Sequence, residues 1–399
     1  MVVLVALTRQ LAPASEPAWA SQARPEPLTA AEERSPAALR IARRFNPAMA
    51  FADPGIWPVP VQYAWRDGAD LMAQVMEDGR AVASYVARPN AALDRPWGDL
   101  PDRDPLGRDI RYSIDAPGDD QTVGGRTRWR QRWEALTGQH AGQPPNLQGE
   151  FPPTQYAHVF WYNRAKGLLG VQYWFFYPFN EWINRHEGDW EHINVILRGP
   201  SHLDEDAEFS PEGYQFAFHR FRLQTDHVVR VAGPRTDEDH VLVFVGGRGR
   251  LLWWGGKLSG GSYPLPARYA ATGDWPFSPG EDTRRPERFI AAGDFDVVLL
   301  PEPERLDTRA RPELSWLKLP LYLGQEKMRS NPPLFDWLGH GGPVLQPGRR
   351  STWNAVKGKR AFGGPVTWKA QDLALPKTWS LRAAPWLPPP AVAVANPQK

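Results

Sequence analysis

The chain has no cysteine, no long hydrophobic run and little net charge. Without cysteine, disulfides do not hold the fold together, and the usual cysteine-rich structural zinc sites are excluded. No stretch approaches the ~20 apolar residues that a transmembrane helix needs, so we expect no membrane-spanning segment. A net charge of +2 is too small to indicate a nucleic-acid-binding protein.

Proline and tryptophan, by contrast, are abundant. The 42 prolines among 399 residues are roughly twice the average share of about 5%, which argues against long helices and for many turns. Nineteen tryptophans are unusual for a soluble domain. This composition indicates an aromatic-rich β protein.

Short apolar runs bounded by turn residues follow one another between residues 156 and 300. The predicted strands are Tyr156–Tyr162, Leu168–Tyr177, Glu191–Leu197, Tyr214–Arg222, His227–Ala232, His240–Gly246 and Asp296–Leu300. Because almost no helix separates them, we expect a mainly β fold, an antiparallel β-sandwich with long irregular loops and a few short helices.

Two helices are predicted upstream of these strands. Thr29 and Glu32 fit a capping box that begins a helix running toward Arg44. The segment Thr127–Leu136 is predicted to be a short amphipathic helix that packs Trp129, Trp133 and Leu136 inward.

The chain divides into one domain with less regular ends. Residues 1–28 are predicted to be disordered or a truncated export segment, since Ala18–Ala20 (AWA) resembles a signal-peptidase site but no basic region precedes it. Export and a cytoplasmic location both stay open. Residues 29–384 form the predicted sandwich domain, with an irregular insertion near 86–125 and a C-terminal wrap from about Pro301. Residues 385–399 are predicted to be a mobile proline-rich tail.

The segment His186–His192 (HEGDWEH) carries two histidines and three carboxylates within seven residues. In an extended strand, side chains alternate between faces, so Asp189 and Glu191 point inward with the aliphatic residues that follow, and His192 points the opposite way. Inward carboxylates are costly unless they are paired, hydrogen-bonded or bound to a cation. Gly188 permits a bend that returns His186 over the same face.

The pattern therefore predicts a divalent cation held by His186, Asp189 and Glu191. Oxygen ligands with one imidazole favour Mg²⁺ or Ca²⁺, with Mn²⁺ and Zn²⁺ as alternatives. The simpler interpretation is a polar strand end in which Asp189 caps a turn and Glu191 pairs with an arginine.

The aromatic strand and the acidic cluster together resemble a known family. The stretch Val171–Leu197 (VQYWFFYPFNEWINRHEGDWEHINVIL) resembles the diagnostic core of the vacuolar protein sorting-associated protein sixty-two family and of related plant proteins of unknown function. Both pair a Q-Y-W-F-F-Y-P-like strand with H-x-G-D-W-E-H. The upstream segment Arg43–Trp65 is similar to the opening of those proteins.

The D-W-E motif is also distantly similar to the necrosis- and ethylene-inducing peptide-like cytolysins. That resemblance implies a β-sandwich with a metal at one edge that engages a membrane glycolipid headgroup. It puts His186, Asp189 and Glu191 on cation-binding positions and Asn180 where a further acidic ligand sits. The chain departs from the pattern at Asn180, at Glu187-Gly188 and in having no cysteine, so cytolytic activity is not implied.

Tryptophans near the cluster and in the glycine-rich segment Gly246–Gly261 are the candidate ligand-facing residues. They are Trp174, Trp182, Trp253 and Trp254. The glycine-rich segment matches neither phosphate-binding spacing, G-x-x-x-x-G-K-[ST] or G-x-G-x-x-G, so we expect no nucleotide site there.

Three functional interpretations follow. The favoured one is a divalent-metal-binding protein that recognises a glycan or a lipid headgroup at a tryptophan-lined site, with peripheral membrane contact left open. The second is a metal-dependent hydrolase, or a glycosidase-like enzyme with Asp189 and Glu191 as the catalytic acid/base pair. The third is a structural protein whose ion only stabilises the fold.

Overall fold

A computed structural model of the chain describes most of residues 24–318 and a few short stretches on either side. The described residues are 18–19, 22, 24–52, 55–66, 68–78, 80–89, 100–101, 103–117, 122–123, 126–140, 143, 145–181, 186–218, 221–225, 228–233, 239–247, 250–251, 254–255, 258–266, 268–269, 281–283, 286–318, 321–323 and 344–345.

Strands dominate the described residues, and the helices are short. The α-helices are α1 (Ala30–Arg34), α2 (Pro36–Arg44) and α3 (Arg128–Thr137), and the 3₁₀ helices are Val61–Trp65, Arg164–Lys166, Ala292–Asp294, Pro303–Arg305 and Pro312–Lys318. The strands are β1 (Glu26–Pro27), β2 (Ala48–Phe51), β3 (Asp70–Glu77), β4 (Arg80–Arg88), β5 (Ile110–Asp115), β6 (Thr122–Val123), β7 (Arg126–Thr127), β8 (Thr154–Asn163), β9 (Leu168–Asn180), β10 (His186–Arg198), β11 (Ser210–Phe218), β12 (Phe221–Thr225), β13 (Val229–Ala232), β14 (Asp239–Gly247), β15 (Arg250–Leu251), β16 (Trp254–Gly255), β17 (Leu258–Tyr263), β18 (Arg268–Tyr269), β19 (Glu281–Asp282), β20 (Arg288–Ile290), β21 (Asp296–Leu299), β22 (Leu321–Leu323) and β23 (Val344–Leu345).

Three sheets contain most of these strands. The largest has the order β1-β8-β9-β10-β11-β12, with β21 added parallel to β8. The second has the order β13-β14-β2-β20, with β17 also paired to β14, and the third has the order β23-β22-β5-β3-β4. Most pairs are antiparallel; β14 with β2 and β22 with β5 are parallel.

The first two sheets pack face to face: β17 of the second sheet lies against β9, β10 and β11 of the first. One continuous hydrophobic core joins the two sheets. It contains Phe244 of β14 and the odd-numbered residues of β10 that follow Glu191, which are Ile193, Val195 and Leu197. The predicted mainly β fold with antiparallel sheets in a sandwich is confirmed. Within the described residues, no helix is long and apolar enough to cross a membrane.

Both predicted helices exist, although the first is divided. Thr29 forms the capping box with Glu32, and α1 ends at Arg34. Ser35 follows as its C-cap and also caps α2 by accepting a hydrogen bond from the Ala37 amide. Pro36 causes the break because its ring blocks a continuous helix but suits the first position of a new one. In α3, Trp129 and Trp133 are buried, as the amphipathic pattern predicts.

The predicted irregular insertion near residues 86–125 is partly wrong. It includes β5, which pairs with β3 on one side and β22 on the other, and the end of β4. The predicted strand Tyr214–Arg222 is in fact the end of a hairpin, since β11 stops at Phe218 and β12 begins at Phe221. The predicted disordered segment lies largely outside the described residues, as do the last part of the predicted C-terminal wrap and the whole of the predicted tail.

Candidate functional site

The acidic cluster lies on β10, where that strand is paired with β9 but not yet with β11. Asp189 is the cross-strand neighbour of Tyr177, and Glu191 is the neighbour of Phe175. Pairing with β11 begins only at Ile193. The two carboxylates therefore lie on the same face of β10 as its aliphatic core residues, but nearer the start of the strand, at one end of the sandwich.

Gly188 divides the cluster into two environments. Its φ of 57° is in the left-handed region, which glycine adopts without strain. Glu187, just before it, accepts a hydrogen bond from the backbone amide of Ala116 at 3.0 Å, at the end of β5. Asp189, just after it, instead accepts one from the side-chain amide of Asn180 at 2.9 Å. Strict alternation would place both carboxylates on one face, and the bend separates them.

The backbone of Gly260 in β17 approaches this group from the facing sheet. Its φ is 73°, and a β-carbon there would lie 3.1 Å from Tyr177 Cδ2, 3.2 Å from Asp189 Oδ2 and 3.3 Å from Glu191 Cγ. These three side chains therefore converge on one point. Asp189 is 7% exposed and Glu191 is 8% exposed, so two carboxylates share a buried location.

The charge of the two carboxylates acts on Tyr177. Burial raises the pKa of the Tyr177 hydroxyl well above its ordinary value, and the nearby charges of Glu191 and Asp189 raise it further. The phenol is therefore protonated at any physiological pH, and it can act as a hydrogen-bond donor.

Asn180 was predicted as a cation ligand. Its side-chain nitrogen donates to Asp189 Oδ2, so the amide orients that carboxylate, and the amide oxygen is the atom that suits a cation. Asn180 is buried, with 4% of its surface exposed. Its backbone is paired with that of His186. The His186 side chain lies outside the described part of the structure, so its role as a ligand stays a prediction.

His192 lies on the opposite face from Asp189 and Glu191, as strand alternation predicts. Its ring stacks on Trp174, with the ring centroids 4.3 Å apart, and only 1% of the residue is exposed. Trp174 itself has no exposed surface and donates its indole hydrogen to Gln172 Oε1 at 2.8 Å. A ligand-facing residue needs exposed surface, which Trp174 does not have.

The other predicted ligand-facing tryptophans cannot be located in the same way. Trp182 and Trp253 lie outside the described residues, and Trp254 belongs to β16 but its side chain is not among those described. Among the described side chains, no three histidine, aspartate or glutamate groups lie close enough together to hold a metal ion.

Sequence reasoning counted Glu187 in the cluster but missed the acidic neighbour that it has in β5. Glu187 lies beside Asp115 of β5. Burial raises the pKa of Glu187 to about 8, with a further contribution from the charge of Asp115. Glu181, which follows β9, accepts hydrogen bonds from Thr127 and Arg130 at the start of α3. These contacts join residues that are far apart in the chain, so no local sequence pattern predicts them.

Tyr177 and Gly260 were also missed, for different reasons. Tyr177 could be found by aligning β9 and β10 in antiparallel register, which puts it opposite Asp189. Gly260 lies in a glycine-rich segment with no distinguishing neighbour, and its approach depends on the packing of two sheets.

Comparison with known proteins identifies no family. No protein-family model matches the chain, and no curated protein matches it. Among solved structures, the chain is similar to one described as the crystal structure of non-toxic HaNLP3 protein, with 13% identity over 61% of this chain and 77% of that chain and a TM-score of 0.25. A TM-score this low supports no conclusion about fold or function.

Replacing Gly260 should strain the site. We expect Gly260→Ala to lower the free energy of unfolding by about 1–3 kcal/mol for the left-handed backbone, and further because the new methyl group contacts Tyr177 and Asp189. Gly107→Ala is the matched control, since Gly107 has φ 77° but no heavy atom within 4 Å of the added carbon. Urea denaturation measures both variants, and equal losses would contradict the close approach at Gly260.

Glu187 should make stability depend on pH. Because its pKa is about 8 in the folded protein against an ordinary value of 4.5, folding takes up a proton between these values. The contribution of Glu187 to the free energy of unfolding has its full value below about pH 4.5. It falls as the pH rises toward 8, with a limiting slope of about 1.4 kcal/mol per pH unit. Glu187→Gln should remove this fall, whereas Glu208→Gln, at an exposed carboxylate, should not. Urea denaturation at several pH values tests this, and a fall that persists in Glu187→Gln assigns it to another group.

Proposed function

We propose that this protein binds a divalent cation at Asp189 and Glu191 and uses it to hold a polar ligand, a glycan or a lipid headgroup. The observation that carries the proposal is that the buried side chains of two acidic residues, Asp189 and Glu191, meet at one point beside Gly260. Two like charges in a buried location repel each other, and a divalent cation bound to both offsets this repulsion.

The donor set suits a hard cation. Asp189 and Glu191 supply carboxylate oxygens, and Asn180 adds an amide group within hydrogen-bond distance of Asp189. Carboxylate and amide oxygens are the ligands that Ca²⁺ and Mg²⁺ prefer. His186, whose backbone pairs with Asn180, is the proposed fourth ligand. A bound cation would supply a positive charge that attracts an anionic or hydroxyl-bearing ligand.

The ligand class is proposed from the sequence. The motif H-x-x-D-x-E, from His186 to Glu191, resembles that of cytolysins that engage a glycolipid headgroup. The longer stretch Val171–Leu197, which contains this motif, resembles the vacuolar protein sorting-associated protein sixty-two family. The sequence predicts that Trp253 and Trp254 face the ligand, and tryptophan has a flat apolar ring on which a sugar ring can stack. Both features favour recognition of a polar ligand over turnover of a substrate.

Cation binding can be measured directly on the full chain. After EDTA treatment, titration calorimetry with CaCl₂ and with MgCl₂ should detect a binding site in the wild type. Asp189→Asn and Glu191→Gln should each weaken cation binding by roughly tenfold or more, because each removes a charged ligand. The control is Glu212→Gln, a carboxylate that pairs with Arg198 on the outer part of the same sheet, and its cation affinity should equal that of the wild type.

The proposal is overturned if the wild type binds none of Ca²⁺, Mg²⁺, Mn²⁺ and Zn²⁺. It is also overturned if Glu212→Gln weakens binding as much as the two site variants do. Circular dichroism of each variant checks that the fold is intact, so that lost affinity is not caused by unfolding.

The cation should in turn be required for ligand binding. We expect the wild type to sediment with phosphatidylcholine vesicles that contain a glycosylated lipid in the presence of CaCl₂, and to stay in solution when EDTA replaces CaCl₂. Soluble glycans, tested as competitors, separate recognition of the sugar from recognition of the lipid surface. Equal sedimentation with CaCl₂ and with EDTA would show that the cation is not the anchor.

A further inference from the structure

The hydroxyl group of Tyr177 distinguishes this residue from its neighbours in the first sheet. Tyr177 has no exposed surface, and its hydroxyl has no hydrogen-bond partner among the residues that the structure describes. Tyr173, on the same face of β9, donates to the backbone oxygen of Ala42 at 2.8 Å. Tyr156, on β8, accepts from the Val61 amide at 2.9 Å.

A buried hydroxyl without a partner costs the folded state about 1–3 kcal/mol. Phenylalanine would avoid that cost, and β9 already has phenylalanine at positions 175, 176 and 179. An aromatic ring of this size therefore fits the strand without the oxygen. The hydroxyl of Tyr177 calls for a partner that the described residues do not supply.

The position of Tyr177 indicates where that partner lies. The residue is directly opposite Asp189 in the β9–β10 pairing, and its ring, Asp189 and Glu191 all surround the same point beside Gly260. The charges of both carboxylates reach its hydroxyl, since together with burial they raise its pKa. Tyrosine at this place brings a hydrogen-bond donor to the neighbourhood of the two carboxylates.

We infer that Tyr177 is a positioning residue of the cation site and donates a hydrogen bond to a water molecule coordinated to the cation. The inference rests on the proposed function, because it requires a cation at Asp189 and Glu191. A hydrogen bond from outside the ligand set fixes the orientation of a metal-bound group, and losing such a bond weakens metal binding by about 10–100-fold.

Tyr177→Phe and Tyr173→Phe form a matched pair of variants. Each removes one oxygen from a fully buried tyrosine on the same face of the same strand. With CaCl₂ as the probe, Tyr177→Phe should bind calcium about tenfold more weakly, while its melting temperature in EDTA equals or exceeds that of the wild type. Tyr173→Phe should lose its bond to Ala42 and melt at a lower temperature in EDTA, with unchanged calcium affinity.

Two outcomes overturn the inference while leaving the proposed function intact. One is calcium affinity in Tyr177→Phe equal to that of the wild type. The other is a melting temperature in EDTA that falls as far in Tyr177→Phe as in Tyr173→Phe, which would mean that the hydroxyl is bonded within the protein. Failure of the proposed function is a different result, because then the wild type itself binds no cation.

Discussion

The pairing of β9 with β10 is the constraint on which the rest of the structure depends. The two strands stay in one register from His186 opposite Asn180 to Arg198 opposite Leu168. Because strand side chains alternate, a shift of one residue would exchange the two faces of β10 and put His192 where the aliphatic core residues now lie. The same register sets Tyr177 beside Asp189. The core and the candidate site are therefore fixed together by one set of backbone hydrogen bonds.

A row of buried polar side chains supports that register on the opposite face of the sheet. The row crosses five strands at directly paired positions: His158, Gln172, Asn194, Gln215 and Gln224. Within it, Asn194 donates to Gln215 Oε1 and Gln215 donates to Gln224 Oε1, both at 2.8 Å. A shifted pairing would break these hydrogen bonds, because the amide groups would then face apolar neighbours. Such a row therefore disfavours alternative registers.

Local sequence patterns predicted the parts of this structure that depend on near neighbours. The capping box at Thr29 and the inward tryptophans of α3 follow from helical spacing, and the opposite orientations of Asp189 and His192 follow from strand alternation. The break at Ser35–Pro36 was missed, although proline at that position removes a helical hydrogen bond. Contacts between distant segments were not readable. The pairing of β5 with β3 and β22, and the approach of Gly260 to Asp189, depend on the way whole sheets pack.

The candidate site brings together several features that are unfavourable inside a packed sheet. Two carboxylates occupy a face that Ile193, Val195 and Leu197 continue as apolar core, and a buried phenol beside them has no partner within the described residues. Gly188 and Gly260 flank this point, both with left-handed backbones. Glycine costs a strand stability, yet here it lets the chain bend and approach where a side chain would intrude. Local costs of this kind, gathered at one point between β9, β10 and β17, distinguish the candidate site from the apolar core that continues it.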